Sequence, residues 1–194
     1  MILSNSEIIS ALNARKFSID PIAGKDPQKP PFNTSAVDLR LASEILVPEA
    51  APAAYDLRKP GIAGFLARNS ARHEISASQP FTLEPHKFVL GRTFERVSFP
   101  CPTSGKSCLS ARVEGKSSLA RCGVIVHFTA PTIHAGFEGT ITLEMINLGP
   151  LNFLLYPDIY ICQLIIEEVK GIPTETPNQF KGQNHTAGIK SGSK

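Results

Sequence analysis

Residues 137–149 read FEGTITLEMINLG, a β-branched and aliphatic run held between the glycines at 139 and 149. Side chains of an extended chain alternate between two faces. Ile141, Leu143 and Met145 therefore share one face, and Thr140, Thr142, Glu144 and Ile146 share the other. The segment reads as a strand with one core face and a single carboxylate, Glu144, at its middle. Working outward, similar short runs dense in Val, Ile, Leu, Phe or Thr occur at 81–99, 108–114, 123–128, 151–155 and 159–168, each bounded by Gly, Pro or Asn turns. An earlier alternating run, SAVDLRL, occupies 35–41. Strands that succeed one another without intervening helices predict an antiparallel sandwich or barrel rather than an α/β fold.

Two short helices interrupt this pattern. Ser4 followed by Glu7 forms a capping-box pattern, and Ile8, Ile9 and Leu12 make an apolar stripe, which predicts a helix over 4–17 ended by Asp20-Pro21 and the prolines at 27, 30 and 31. A second is expected at 117–122, capped by Ser117 or a neighbour and stopped by Gly123. The stretch from Val47 to Pro80 is loose, rich in Ala, Pro and Arg, and reads as an insertion with some local structure. From Gly171 the chain turns polar and turn-rich. The expected organisation is one β-rich domain over 1–170, with 171–194 as a flexible tail whose function comes from contact with something else.

Bulk properties agree. The 194 residues include 42% hydrophobic and 19% charged residues, the balance of a globular protein. Sixteen prolines and fourteen glycines leave little room for long helices. A formal net charge of +3 lacks the concentrated basic stripe of a nucleic-acid binder. No run approaches the roughly 18 apolar residues of a membrane span, and MILSNSEIIS has no basic leader region, so a cytoplasmic protein is expected. The cysteines at 101, 108, 122 and 162 form no CxxC pair and read as reduced thiols.

Two familiar phosphate and metal signatures fail on inspection. GKS occurs at 105–107 and 115–117, but a P-loop needs a glycine where Pro100 and Ser110 stand. No histidine has a glutamate two residues later, and Pro100-Cys101 is not followed by a cysteine three positions on, so the zinc-deaminase signature is absent.

The stretch 111–123, ARVEGKSSLARCG, carries more. Lys116, Ser117, Ser118 and Arg121 gather amide donors at a helix start, two hydroxyls and two cations, the chemistry a triphosphate requires. The same residues also suit a solvated, capped helix with surface charges. Glu144, in an apolar strand, is open to two readings as well. Desolvation would raise its pKa towards the range of a general base, whereas a salt bridge, with Arg121 as candidate partner, would make it structural.

MILSNSEIISAL at the start, SAVDLRL at 35–41, VLGRTFERV at 89–97, ARVEGKSSLARCGVIVH at 111–127 and AGFEGTITLEMINLGPL at 135–151 together resemble the dCTP deaminase family. QFKGQ at 179–183 resembles its C-terminal nucleotide-closing motif. The resemblance implies a mainly β fold, a distorted antiparallel β-barrel or jelly-roll of the dUTPase type, assembled as a homotrimer with sites at subunit boundaries. It implies dCTP and dUTP as ligands, with Mg²⁺ bound through the triphosphate and no zinc. Glu144 falls on the family's catalytic base, Ser117 and Arg121 on residues that position water, base and phosphate, and Ser118 on a phosphate-contacting hydroxyl. Gln183 matches the tail glutamine that reaches the triphosphate, and the Ala130 carbonyl matches the position that holds the water.

Three positions depart from the pattern. Lys116 stands where arginine is usual, Gln179 where the tail often has lysine, and His134 where the family has aspartate. Arginine to lysine keeps charge but loses the planar fork. A histidine cannot serve as the carboxylate that a dUTP hydrolase uses on its attacking water. The expected activity is therefore deamination of dCTP to dUTP and ammonia. The alternatives are a dUTP diphosphatase, a bifunctional deaminase-diphosphatase, and a non-catalytic nucleotide-binding trimer.

Overall fold

The computed structural model describes residues 1–51, 54–101, 108–174, 176 and 180–188. In chain order its elements are α1 (Asn5–Asn13), β1 (Ser18–Asp20), β2 (Phe32–Asn33), β3 (Ala36–Arg40), β4 (Glu44–Pro48), α2 (Ile62–Arg68), β5 (Ser70–Glu74), β6 (Phe81–Leu83), β7 (Phe88–Ser98), β8 (Cys108–Gly115), α3 (Ser117–Arg121), β9 (Val124–Val126), β10 (Thr132–Ile133), β11 (Glu138–Asn147), β12 (Phe153–Leu155) and β13 (Tyr160–Val169). Strands β5-β4-β7-β11-β9 lie side by side, with β1 also on β7. A second sheet runs β10-β8-β13-β3-β2, and β12 pairs with β6. All these pairings are antiparallel. The chain is mainly β, as expected, but the strand paths are open. It forms distorted antiparallel sheets rather than one closed barrel.

The two larger sheets share a core. Val37, Leu39, Leu164 and Ile166 come from one, and Val89, Val97, Leu143 and Met145 from the other, all of them fully buried. Each such side chain stabilises the fold by roughly 1.5–3 kcal/mol. On β11 the core face is Ile141, Leu143 and Met145, with Thr142, Glu144 and Ile146 half-buried on the reverse. Thr140 departs from this alternation and is buried, its amide and carbonyl both bonded to Gln183, and the β7 pairing slips between Thr140 and Thr142. The buried Thr93 hydroxyl fills the gap, accepting from the Ile141 amide at 2.9 Å and donating to the Glu95 carbonyl at 2.7 Å.

Helix α1 starts where expected, with the Ser4 hydroxyl accepting from the Glu7 amide. It stops at Asn13, four residues early. Arg15 takes a left-handed φ of 53°, Arg15 N–H donates to the Leu12 carbonyl and Lys16 N–H to that of Ala11, the paired bonds of a Schellman close. Phe17, just beyond, is buried and stacks on Phe99 at 5.2 Å. The run 81–99 is two strands, because Pro85 and the left-handed His86 turn the chain between β6 and β7. Residues 47–80 hold more order than the sequence suggests. Strands β4 and β5 pair antiparallel at the sheet edge, with α2 in the excursion between them. α2 is a third helix that the sequence reading did not assign. None of its residues is buried, and Gly61 at its N-cap offers no side-chain cap.

β9 is held in place by two glycines in backbone contact. Gly123 has φ +84°, and a Cβ on it would lie 2.5 Å from the Gly149 nitrogen. The Leu148 amide donates to the Gly123 carbonyl at 2.8 Å. The fully buried Asn147 completes the corner, accepting from the Gly149 amide and donating to the carbonyls of Leu83 and Leu151. Gly24 also has a positive φ, +73°, but nothing lies within 4 Å of its virtual Cβ. We predict that Gly24→Ala destabilises by about 1 kcal/mol, the conformational cost alone. Gly123→Ala adds a backbone clash and should cost about 3 kcal/mol or more. Denaturant unfolding measures both, and equal losses would contradict the assigned contact.

Candidate active site

Glu144 projects from the middle of β11 into a cavity of about 990 Å³. β9 lies antiparallel beside it with Met145 opposite Val126, so the next residue along β9, His127, comes level with Glu144. The chain leaves the strand there with a left-handed φ of 66° at His127, whose amide donates to the Glu144 carbonyl at 2.7 Å. The His127 ring then bridges two groups of the cavity. Its Nδ1 lies 2.7 Å from Oε2 of Glu144, and its Nε2 lies 3.0 Å from the Ala130 carbonyl. The Nδ1 contact is close but off-axis, an electrostatic pairing rather than an aligned hydrogen bond.

The protonation of this pair follows from its partners. A carbonyl can only accept, so Nε2 carries a proton. Burial pushes His127 down, but the Glu144 carboxylate and the Ala130 carbonyl outweigh it and hold the ring above its ordinary value of 6.5. Burial pushes Glu144 up, while His127 and the backbone amides, Phe128 among them, pull it further down, to below its ordinary 4.5. Desolvation alone suggested a raised carboxyl; the adjacent His127 reverses the sign. The site therefore holds an ionised carboxylate against a ring whose hold on a second proton is strengthened. The partner of Glu144 is His127, not Arg121.

The cavity walls divide by chemistry. Ala130 and His134 join Glu144 and His127 on the polar side, with His134 exposed at the start of the turn into β11. Ile62 and Leu66 of α2, with Phe88 and Leu90 of β7, make an apolar wall. Phe180, Gln183, Thr186 and Ala187 of the C-terminal segment close a third side. Gln183 is buried, its side-chain amide donating to the Thr140 carbonyl at 2.7 Å and its own carbonyl accepting from the Thr140 amide at 3.1 Å. Gly139 permits that approach, since a Cβ there would meet the Gln183 carbonyl oxygen at 2.7 Å. Gln179 lies outside the described residues.

The 116–121 cluster is elsewhere. None of Lys116, Ser117, Ser118 and Arg121 lines the cavity. Lys116 Nζ is 2.5 Å from Asp38 and stands over the Tyr160 ring at 5.9 Å. Lys116 is the N-cap of α3, and no side-chain hydrogen bond caps that helix. Ser117, Ser118 and Arg121 are exposed on α3. Within one chain, the structure thus unites Glu144, Ala130, His134 and Gln183, and leaves the α3 group outside. His127 was missed in the sequence, where it is the last residue of the run GVIVH. The β9–β11 register that sets it beside Glu144 is the signal that would have found it.

The sequence matches the dCTP deaminase-like family over residues 2–169. A "dCTP deaminase, dUMP-forming" of Dictyoglomus turgidum is 41% identical over 178 residues, covering 91% of this chain and 84% of its own. A dCTP deaminase of Rhodospirillum rubrum is 36% identical over 182 residues, covering 91% and 87%. Among solved structures, the 2'-deoxycytidine 5'-triphosphate deaminase from Agrobacterium tumefaciens superposes with a TM-score of 0.63 at 19% identity, over 87% of this chain. This chain spans about half of that one, 47%, and the likeness is one of fold. With a family match over nearly the whole described β structure and relatives of this identity and coverage, the chain belongs to the dCTP deaminase-like family.

Proposed function

We propose that this protein hydrolyses dCTP to dUTP and ammonia in pyrimidine deoxynucleotide metabolism. The observation that carries the reading is the ionised Glu144 in the cavity, set 2.7 Å from His127, which also binds the Ala130 carbonyl. Glu144 takes a proton from a water as the water oxygen adds to C4 of the cytosine. That proton passes to the ring nitrogen. The second proton, on the new C4 hydroxyl, is then carried by Glu144 to the 4-amino group as the C4–N bond breaks, so that ammonia leaves and C4 keeps the oxygen as the uracil carbonyl. The Ala130 carbonyl spends one lone pair on His127 and keeps a second for that water. Water activation is assigned to Glu144 rather than to zinc, consistent with the missing zinc-deaminase signature.

The triphosphate is assigned to Ser117, Ser118 and Arg121, with Lys116 adding charge beside its Asp38 partner. Because α3 lies outside the cavity of its own chain, the reading needs a second copy, and we propose the homotrimer with sites at its boundaries. Exposed Ile125 and Leu148, beside the α3–β9 turn, support a contact there. Mg²⁺ enters on the nucleotide, where it neutralises phosphate charge. The described residues include no group of three or more His, Cys, Asp or Glu that could hold a metal, and triphosphate oxygens suit this hard cation. No helix of the described residues is long and apolar enough to cross a membrane. The cytoplasm, with its nucleotide pools, is the proposed location, and neither a membrane nor a nucleic acid is a proposed partner.

Glu144→Gln keeps the shape and removes the base. We predict a fall in kcat of about 10²–10⁴-fold with dCTP affinity nearly unchanged, read by ammonia release and equilibrium binding. Near-normal turnover would refute the assignment.

His134 decides the product. The Dictyoglomus turgidum relative is named as dUMP-forming, and a second hydrolysis at the α-phosphate is the rival reading. An imidazole at 134 lacks the two-oxygen carboxylate that such a water needs. Incubation with dCTP and Mg²⁺ should accumulate dUTP and ammonia with little dUMP or pyrophosphate, and His134→Asp should increase the dUMP share. Wild-type conversion through to dUMP would show that His134 is no block.

A further inference from the structure

Glu44 is an acid with no part in the chemistry described above, yet it is 6% exposed at the start of β4. A buried carboxylate is retained only where its oxygens are matched. One oxygen accepts from the Thr186 backbone amide at 3.1 Å. The other lies 2.9 Å from Nε of Arg72 on β5, whose Nη2 is in turn 2.6 Å from Glu74. Burial pushes the Glu44 carboxyl up, but Thr186 and the cations Arg72 and Arg92 bring it below its ordinary value, so the acid is charged where it meets the C-terminal segment.

Thr186 is pinned from both sides. Its amide goes to Glu44, and its carbonyl accepts from the Thr142 hydroxyl at 3.1 Å, two residues from Glu144 on β11. The next residue, Ala187, is buried in a small apolar cluster with Leu46 of β4 and Leu90 of β7, against which Leu66 and Ala67 of α2 pack. α2 contributes nothing to the main core. Its packing serves this cluster and the cavity wall.

We infer that the β4–α2–β5 excursion is the platform that holds the C-terminal segment over the cavity, and that Glu44 is the positioning residue that fixes it there. This inference rests on the reading of the cavity as the nucleotide site. The excursion touches neither His127 nor the Glu144 carboxylate in any bond described. Its effect is on retention of the nucleotide, through a wall that half belongs to the tail.

The test uses the full chain without nucleotide first. Hydrogen exchange at the Thr186 amide and protease cleavage within 180–188 should each rise roughly tenfold in Glu44→Ala, the scale expected for loss of a bond to a charged acceptor. Glu44→Gln, which keeps an acceptor oxygen, should lie between. Ala187→Asp acts from the tail side and should reproduce the exposure while the sheets melt unchanged. With dCTP, KM should rise about tenfold in Glu44→Ala while kcat stays within about threefold. Unaltered tail protection in both variants, with KM unchanged in Glu44→Ala, would overturn the inference. So would exchange that rises evenly across the sheets, since that marks a merely structural acid. If the wild type does not deaminate dCTP, the functional reading fails by itself, and tail protection still decides the role of Glu44.

Discussion

Nδ1 of His127 stands 2.7 Å from a Glu144 oxygen, and the chemistry of the cavity depends on that separation. The histidine side chain is 6% exposed and the glutamate 33%, so neither charge is fully hydrated. An ionised carboxylate in such a place is costly alone, and so is an imidazolium. Side by side they offset each other, which drives their pKa values apart, the glutamate down and the histidine up. The carboxylate therefore stands ionised as the base, beside a ring whose protonation it favours. A general base so held binds its proton less tightly than a desolvated acid would, but it is ionised in every molecule and fixed in direction.

That separation is set by backbone features remote from the cavity. The Gly123–Gly149 contact brings the start of β9 against the end of β11, and the buried Asn147 ties the corner to β6. From there the antiparallel register delivers His127 to the level of Glu144. The bulge at Thr140–Thr142 lies on the other side, where Thr140 and Thr142 receive Gln183 and Thr186 of the C-terminal segment. One strand thus presents its base to β9, its bulge to the tail and its apolar face to the core. The same economy leaves α3 looking outward, which is why a single chain holds the base of the proposed site but not its phosphate cluster.

Much of this was legible in the residues. The two-residue period of 137–147 marks the core face of β11 and leaves Glu144 opposed to it, and Ser4 with Glu7 marks the start of α1. The resemblance to the deaminase family indicated Glu144, Ala130 and Gln183 as members of one site. What was not legible depended on pairing. Desolvation of Glu144 could be read from its neighbours in sequence, but the histidine that outweighs it follows another strand, brought level by register. α2 was missed because a seven-residue helix containing Gly64, with no buried face, has no periodic stripe to show. The split at Pro85 was overlooked because both flanks are equally β-rich. Glu44 gave no sign of its role, since its partner lies 142 residues away in sequence.

The claim at the centre is that an ionised Glu144 strengthens the hold of His127 on its proton despite burial. Titration of the His127 ring by NMR, in the wild type and in Glu144→Gln, tests it most directly. Burial alone depresses an imidazole, so the sign of the shift from its ordinary 6.5 identifies which influence prevails. The account predicts a wild-type midpoint above 6.5 that falls below 6.5 when the carboxylate is neutralised. A midpoint that does not move between the two proteins would contradict it.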